Sequence, residues 1–310
     1  MTEEGRPLVP FAGWGMSHRE PGNASQGVGR ILGDRLVQFA EEALGEDLDA
    51  RIARIVTHPS EAGFDPFGFD PGTARYVLAA SAFLHRWYFR TEVHGIEHVP
   101  MGRCLIVANH SGQIPMDGLI IGTAMMLDAE PPRFPRSMVE KWSAALPFIS
   151  TFFPRAGQVV GSPDNARRLL NNEESLVVFP EGARGISKTF DKRYQLEGFG
   201  LGFLRLALET NTPIVPVAVI GGEEQLPSIG NIKTLARLFG MPAFPVIPQL
   251  LVGAAFPLPV RYRLYFGEPL VFDGDPDDDD SVIEEKVWTV KQTIQGMIND
   301  GLKARPSVFF

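Results

Sequence analysis

The segment from Cys104 to Gly118 joins an apolar run to a polar, glycine-bearing turn that carries a histidine and an aspartate. His110 follows the apolar run, and Asp117 lies seven positions further along the chain. Histidine can take up and release a proton near neutral pH. A carboxylate held against one ring nitrogen fixes the tautomer and stabilises the imidazolium that forms. At the mouth of a buried strand, such a pair can deprotonate a substrate hydroxyl without any protein nucleophile.

A second segment, residues 176–185, has the same order of an apolar run, a turn, and charged residues among glycines. Arg184 presents a fixed fork of donors that suits phosphate or carboxylate. Glycines such as Gly182 let a ligand approach the backbone closely. One loop could therefore hold a base, and the other an anionic head group.

Together the two segments resemble the motifs of the glycerophospholipid acyltransferase family, which acylates glycerol phosphate and lysophospholipids. The usual first motif is Asn-His, four residues, then Asp, and its counterparts here are Asn109, His110 and Asp117. The third motif, Phe-Pro-Glu-Gly-Thr-Arg, matches residues 179–184 with alanine in the place of threonine. The fourth, a Val-Pro-Val/Ala strand, matches residues 214–220.

The chain departs from the family pattern at two points. Six residues instead of four separate His110 from Asp117, so either the turn is longer or another group orients the histidine. Pro115 suits the first turn of a helix, which would let two extra residues bulge outward and leave Asp117 able to reach back. The second motif keeps Gly157 but lacks the later arginine, which favours an acceptor with less negative charge than glycerol 3-phosphate. The resemblance covers residues 93–270.

The resemblance implies an O-acyltransferase that moves a fatty acyl group from a thioester to a hydroxyl of a lysophospholipid or glycerolipid. Acyl-CoA or acyl carrier protein would be the co-substrate, with no other cofactor and no metal. His110 would act as the general base and Asp117 would orient it. The residues expected to contact the acceptor are Glu181, Gly182 and Arg184, with Arg155 and Lys188 as further candidates for phosphate.

Other interpretations of the same residues remain open. Asp117 could serve only as a negative charge in the first turn of a helix, where it interacts favourably with the helix dipole. Glu181 and Arg184 could form a structural ion pair. The acceptor could be a neutral glyceride or a long-chain alcohol. The chain could instead be a catalytically inactive lipid-binding protein or a thioester hydrolase. A serine hydrolase is disfavoured, because no Gly-x-Ser-x-Gly elbow is present; no Walker or dinucleotide motif and no closely spaced metal ligands occur either.

The composition is ordinary for a globular protein, with 44% hydrophobic and 21% charged residues among 310. The net charge of -8 argues against nucleic acid as a partner. The single cysteine, Cys104, fits a reducing compartment. No apolar stretch reaches the roughly 18 residues of a spanning helix, and no signal peptide is evident. We therefore expect a cytoplasmic protein in peripheral or monotopic contact with the inner face of a membrane, with a lipid acceptor and an acyl thioester as partners.

The order of elements predicts an α/β fold with a mainly parallel central sheet flanked by helices and an N-terminal helical extension. Ligands collect at the carboxyl ends of such strands, and His110 and Arg184 each follow a predicted strand. The predicted strands are residues 91–95, 103–109, 134–139, 175–179, 214–220 and 262–267. The predicted helices are residues 32–56, 73–88, 116–128, 141–152, 164–171, 197–210 and 281–303, and Thr73 is expected to cap the second of them.

Four parts are expected along the chain. They are a flexible tail (1–27), a helical region (28–90), an acyltransferase α/β domain (91–272), and an acidic linker with a C-terminal helix (273–310). Within the domain, the apolar, proline-broken segment 231–260 has Lys233 and Arg237 beside its first apolar residues. It is either an interfacial membrane segment or an irregular insertion that covers the sheet.

Overall fold

A computed structural model describes residues 25–55, 65–112, 114, 116–139, 149–238, 244–249 and 256–309. The strands in these ranges are β1 (Glu92–His94), β2 (Cys104–Ala108), β3 (Pro135–Val139), β4 (Gln158–Val160), β5 (Ser175–Val178), β6 (Ile214–Ile220), β7 (Gly230–Asn231), β8 (Pro245–Val246) and β9 (Arg263–Phe266). The α-helices are α1 (Ser25–Leu44), α2 (Leu48–Ala53), α3 (Pro71–Phe83), α4 (Met116–Leu127), α5 (Ile149–Arg155), α6 (Pro163–Asn171), α7 (Ala183–Ile186), α8 (Gly202–Thr210), α9 (Gly222–Gln225), α10 (Lys233–Leu238) and α11 (Asp280–Ala304).

Seven strands form one sheet in the order β1-β9-β6-β2-β5-β3-β4. β2 lies at its centre and pairs in parallel with β5 and β6, so that Leu105 lies opposite Leu176 and Ile214. β3 continues the parallel sheet beyond β5, whereas β9 pairs antiparallel with β6. The prediction of a mainly parallel sheet flanked by helices, with helices N-terminal to it, is confirmed.

Both faces of the sheet are covered, which explains why its central strands are continuous apolar runs rather than alternating ones. Along β2, Leu105 and Val107 face a core built with α6, α8 and α11. Cys104, Ile106 and Ala108 face the opposite core, which contains the buried side of α4. Burying a leucine, isoleucine or valine side chain stabilises the fold by about 1.5–3 kcal/mol. The loops that follow these strands therefore extend from a rigid base.

The helical spacing of apolar residues explains α11. Its buried positions recur every three or four residues, which places them on one side of the helix against the sheet; they are Ile283, Val287, Val290, Ile294 and Ile298. A third core joins α1, α2 and α3 to the end of α4.

The N-terminal helices differ from the prediction in their bounds. The single helix expected over 32–56 is two helices, because Gly45 adopts a left-handed φ of +69° where α1 ends. α1 begins at Ser25, inside the stretch 1–27 that the sequence predicted to lack structure, and residues 1–24 lie outside the described ranges. α3 begins at Pro71, since Asp70 caps it in place of the expected Thr73.

Four other segments were misjudged or fall partly outside the described ranges. The helix predicted over 197–210 begins only at Gly202, and β4 was not predicted. The helix predicted over 141–152 lies partly outside the described ranges, which omit residues 141–148. They also omit residues 239–243 and 250–255 of the segment 231–260. Within the helices that are described, none combines the length and the apolar character needed to cross a bilayer.

Candidate active site

The two loops of interest leave adjacent parallel strands at the same edge of the sheet. Val107 of β2 pairs with Val178 of β5, so His110 and Phe179 emerge side by side. Their rings stack with centroids 4.2 Å apart and planes 17° from parallel. The strand order thus brings the histidine loop against the loop that continues into residues 180–186.

Asn109 anchors the start of the histidine loop to the neighbouring strand β6. Its side-chain amide donates to the Val219 carbonyl at 3.0 Å, and its Oδ1 accepts from the Val219 N–H at 2.7 Å. This side chain is fully buried and replaces a backbone pair at the point where β2 ends. An asparagine before the histidine therefore fixes where the turn begins.

Asp117 closes the longer spacing and contacts His110 directly. Its Oδ2 lies 2.7 Å from His110 Nδ1 and also accepts the Ser111 N–H at 2.8 Å, while Oδ1 accepts the Gly118 N–H at 2.8 Å. The aspartate is fully buried, in the first turn of α4. Pro115, which the sequence placed in the first turn of that helix, lies outside the described residues.

The contact with Asp117 orients the imidazole for base chemistry. With a proton on Nδ1 directed at the carboxylate, Nε2 is left as the unprotonated acceptor. The His110 side chain retains 13% exposure, and no described residue hydrogen-bonds to Nε2. The arrangement can accept a proton at Nε2 and stabilise the resulting imidazolium.

Glu181 does not face an open site, contrary to its assignment as an acceptor contact. Its Oε1 accepts the His110 N–H at 2.9 Å, and its Oε2 accepts the Glu197 N–H at 2.7 Å. The side chain is buried. Because both oxygens are used by backbone donors, this carboxylate ties the histidine loop to the segment that leads into α8.

Lys188 is also buried, and so is not the surface phosphate contact that the sequence suggested. Its Nζ lies 3.4 Å from Glu181 Oε2 and 3.0 Å from Glu223 Oε1, and it donates to the Gln195 carbonyl at 3.2 Å. Burial raises the pKa of Glu223 to about 7, although the Lys188 ammonium acts in the opposite direction. The positive charge of Lys188 therefore compensates the two buried carboxyl groups, Glu181 and Glu223, that lie behind the histidine loop.

Arg184 is exposed and Gly182 is half-buried, and both lie in the segment that continues from β5 into α7. One guanidinium nitrogen of Arg184 donates to the Gly198 carbonyl at 2.8 Å, which orients the exposed fork. A side chain at the next position, Gly185, would place its Cβ 2.7 Å from the Cβ of His110, so α7 packs directly on the histidine. Gly182 has φ +56° and ψ -145° with open space where a side chain would point. A ligand can therefore reach this backbone.

The structure does not bring Arg155 to this site. Arg155 ends α5, three residues before β4, and β4 runs parallel to β3 and through it to β5 and β2. It therefore lies at the amino edge of the sheet, whereas His110 and Arg184 lie at the carboxyl edge. Its carbonyl accepts from Asp70 N at the start of α3.

Several residues of the site were missed or left undecided by the sequence. Glu223 and Glu224 were not among the site residues predicted from the sequence, and both are buried. Tyr194, whose hydroxyl bonds to Glu224, was not singled out. The signal was present for the glutamates, because they follow the end of β6, the strand next to β2.

Comparisons with known proteins agree with this geometry. Residues 90–220 match the family model described as Acyltransferase. An uncharacterized protein of Mycobacterium tuberculosis is 39% identical over 283 residues, covering 87% of this chain and 79% of its own length. One from Mycobacterium leprae is 39% identical over 255 residues, covering 79% of this chain and 70% of its own. The chain therefore belongs to the acyltransferase family.

More distant likenesses extend beyond the mycobacteria. A Gallus gallus protein named DGAT1/2-independent enzyme synthesizing storage lipids is 25% identical over 207 residues, which is 67% of this chain and 58% of that protein. The crystal structure of the 1-acyl-sn-glycerophosphate acyltransferase PlsC from Thermotoga maritima aligns with a TM-score of 0.49 at 19% identity, over 91% of this chain and 99% of that one.

Proposed function

We propose that this protein transfers a fatty acyl group from an acyl thioester, acyl-CoA or acyl carrier protein, to a hydroxyl of a lysophospholipid, with His110 as the general base. The observation that carries the proposal is the 2.7 Å contact between His110 Nδ1 and Asp117, which leaves Nε2 as the acceptor, in a loop that packs against the short helix of Arg184. A thioester and an alcohol react in this way without a covalent acyl-enzyme.

The proton and the bonds follow from this geometry. Nε2 takes the proton of the acceptor hydroxyl as its oxygen attacks the thioester carbonyl, and Asp117 stabilises the imidazolium. The tetrahedral intermediate then collapses with cleavage of the carbon–sulfur bond, and the imidazolium returns its proton to the departing sulfur. General-base catalysis supplies roughly 10²–10⁴-fold, and the remaining acceleration comes from holding the two substrates together.

Arg184 is the group proposed to bind the acceptor's phosphate. Its fork is oriented by the Gly198 carbonyl, and the arginine is exposed on α7, the short helix that packs on His110. A neutral acceptor is the second candidate, because Arg155 lies at the opposite edge and does not add a second positive charge.

An apolar surface on α1 and α3 supports peripheral contact with a membrane. Six exposed apolar side chains lie on these helices and on the π-helix Leu84–Tyr88 that follows α3, and we call them the apolar patch; they are Ile31, Leu32, Leu36, Phe39, Phe83 and Trp87. The rings of Phe39 and Phe83 lie 6.4 and 5.9 Å from that of Trp87, so the patch is continuous there. Contiguous exposed apolar surface of this kind is typical of a membrane or protein contact, and tryptophan is suited to the lipid interface.

The test is product formation by the purified full-length chain with labelled acyl-CoA or acyl carrier protein. The acceptors are lysophosphatidate, monoacylglycerol, a long-chain alcohol, and none. Acylated lysophosphatidate supports the proposal, a preference for uncharged acceptors supports the second candidate, and free fatty acid alone in every reaction would overturn both.

Arg184→Ala should raise KM for lysophosphatidate about tenfold or more, the loss expected for a charge-assisted hydrogen bond, with little effect on KM for monoacylglycerol. Arg167→Ala, which removes an exposed arginine paired with Glu209 on α6 and α8, is the control.

A further inference from the structure

Tyr194 is a buried residue at which three segments of the protein meet. Its backbone N–H donates to Glu223 Oε2 at 3.0 Å. Its hydroxyl donates to the Glu224 carboxylate and accepts from the Gly221 N–H at 2.9 Å. Its carbonyl accepts from the side-chain amide of Gln295, on α11, at 3.0 Å. Every polar atom of this tyrosine is therefore committed.

The conformation of Tyr194 is one that a bulky residue adopts only when its surroundings hold it there. Its φ is +63°, in the left-handed region. Arg305, at the end of α11, lies over its ring at 5.4 Å from the centroid and pairs with Glu224 at 2.7 Å. Burial, followed by the Glu224 charge, raises the pKa of Tyr194 well above its usual value, so the hydroxyl remains a donor.

One branch of contacts runs from Tyr194 to the backbone of the histidine. The Tyr194 N–H bonds to Glu223, whose other oxygen lies 3.0 Å from Lys188 Nζ. Lys188 lies 3.4 Å from Glu181 Oε2, and Glu181 Oε1 accepts the His110 N–H at 2.9 Å. Side-chain networks of this kind, buried and fully paired, are rigid.

A second branch reaches the two residues that follow the histidine. The tyrosine hydroxyl holds Gly221, and the next residue, Gly222, packs against Ser111 and Gly112. A Cβ on Gly222 would lie 2.2 Å from Ser111 Oγ, and a Cβ on Gly112 would lie 2.6 Å from the Gly222 carbonyl oxygen. No space is left between these two turns, so a shift of one displaces the other.

We propose that Tyr194 is a positioning residue for acyl transfer, which fixes the loop of His110 through both branches and is itself held by α11. The inference rests on the proposed function, since the position of the imidazole matters for turnover only if it is the base. A displacement near 1 Å can lower a rate about 100-fold while substrate binding persists. Loss of the tyrosine hydroxyl therefore acts on kcat and not on KM.

The variant Tyr194→Phe removes the hydroxyl and keeps the ring beneath Arg305. We expect kcat to fall about tenfold or more, with KM for both substrates unchanged, in a protein that is folded at the assay temperature. The matched control is Tyr76→Phe, which removes a tyrosine hydroxyl from a different carboxylate, Asp34, at 2.8 Å on the N-terminal helices. Arg305 packs over the ring of Tyr194 and pairs with Glu224, so Arg305→Lys, which keeps the positive charge, should retain more activity than Arg305→Ala.

A second readout does not depend on turnover. In proton NMR, the Nδ1–H of His110 that is bonded to Asp117 should give a downfield signal, and this signal should shift or broaden in Tyr194→Phe but not in Tyr76→Phe. If Tyr194→Phe keeps wild-type kcat and the same signal, the proposal is wrong. A loss of activity that only parallels the loss of folded protein, with Arg305→Lys and Arg305→Ala indistinguishable, would also overturn it. Absence of transfer by the wild type with every acceptor would refute the proposed function, while the NMR comparison would still decide whether Tyr194 positions His110.

Discussion

Nδ1 of His110 and Oδ2 of Asp117 lie 2.7 Å apart although six residues separate them in the sequence. The carboxylate reaches back from the first turn of α4 and also accepts the N–H of Ser111. Asp117 therefore lies in the first turn of α4 and at the same time contacts the histidine. The longer spacing changes the turn and leaves the pair intact.

Replacing Asp117 by asparagine should lower kcat by roughly 10²–10⁴-fold, since an amide cannot stabilise the imidazolium and can select the wrong tautomer. The matched control is Asp128→Asn, because Asp128 Oδ2 pairs with Nε2 of the buried His85 at 2.8 Å in a second histidine–aspartate contact. Steady-state kinetics on both variants make the comparison. Equal losses in the two would mean that Asp117 contributes only to folding.

Glu181→Gln should lower kcat while KM for the acceptor stays the same. The carboxylate bonds to the backbone of His110 and Glu197 and compensates Lys188, so its loss loosens the histidine loop. It should also lower the free energy of unfolding by about 1–3 kcal/mol. Glu173→Gln is the control, as Glu173 is an exposed carboxylate that accepts a backbone N–H from Arg103. A rise in acceptor KM at constant kcat would return Glu181 to the role of a substrate contact.

Glu223 should make folding less favourable as the pH rises. Its pKa is about 7 in the folded protein and near 4.5 when unfolded, because burial disfavours its charged form. Between these values the folded state binds more protons, so stability is lost as pH increases through this window and is unaffected by this group below it. The shift corresponds to roughly 3 kcal/mol. Urea unfolding between pH 5 and 8 should show a weaker pH dependence for Glu223→Gln than for the wild type, and parallel curves would contradict the shift.

The apolar patch should bind phospholipid vesicles. Changing Phe39 and Trp87 together to serine removes two exposed aromatic groups, and the vesicle dissociation constant should rise about tenfold or more. Trp288→Ser is the matched control, because Trp288 is 61% exposed on α11, which packs on a different face of the sheet. Co-sedimentation with phosphatidylcholine vesicles gives the measurement. If the Phe39 and Trp87 double variant binds vesicles as tightly as Trp288→Ser, the apolar patch is not the membrane contact.

The central strands could be predicted because they depend on local patterns, whereas the longer spacing between His110 and Asp117 left their contact open. β2, β5 and β6 are continuous apolar runs, and each ends at a polar turn that carries the relevant side chain. Arg155 was misjudged because β4 has three residues, too few to give a periodic signal, and without β4 the edge on which Arg155 lies is unknown.

The buried charges could not be predicted for a different reason. Glu181 and Lys188 are of residue types that are usually exposed, and only their partners show otherwise. Those partners, the backbone of residue 110 and the carboxylate of Glu223, lie 71 and 35 positions away in the sequence. Burial set by such long-range contacts is absent from any local pattern.

The most direct measurement of the central claim is the rate of acyl transfer by His110→Ala, with labelled acyl-CoA and the acceptor that the wild type prefers. We expect product formation to fall to the background rate, while the circular dichroism spectrum and the unfolding midpoint stay close to those of the wild type. Transfer at the wild-type rate by this variant would contradict the assignment of His110 as the base.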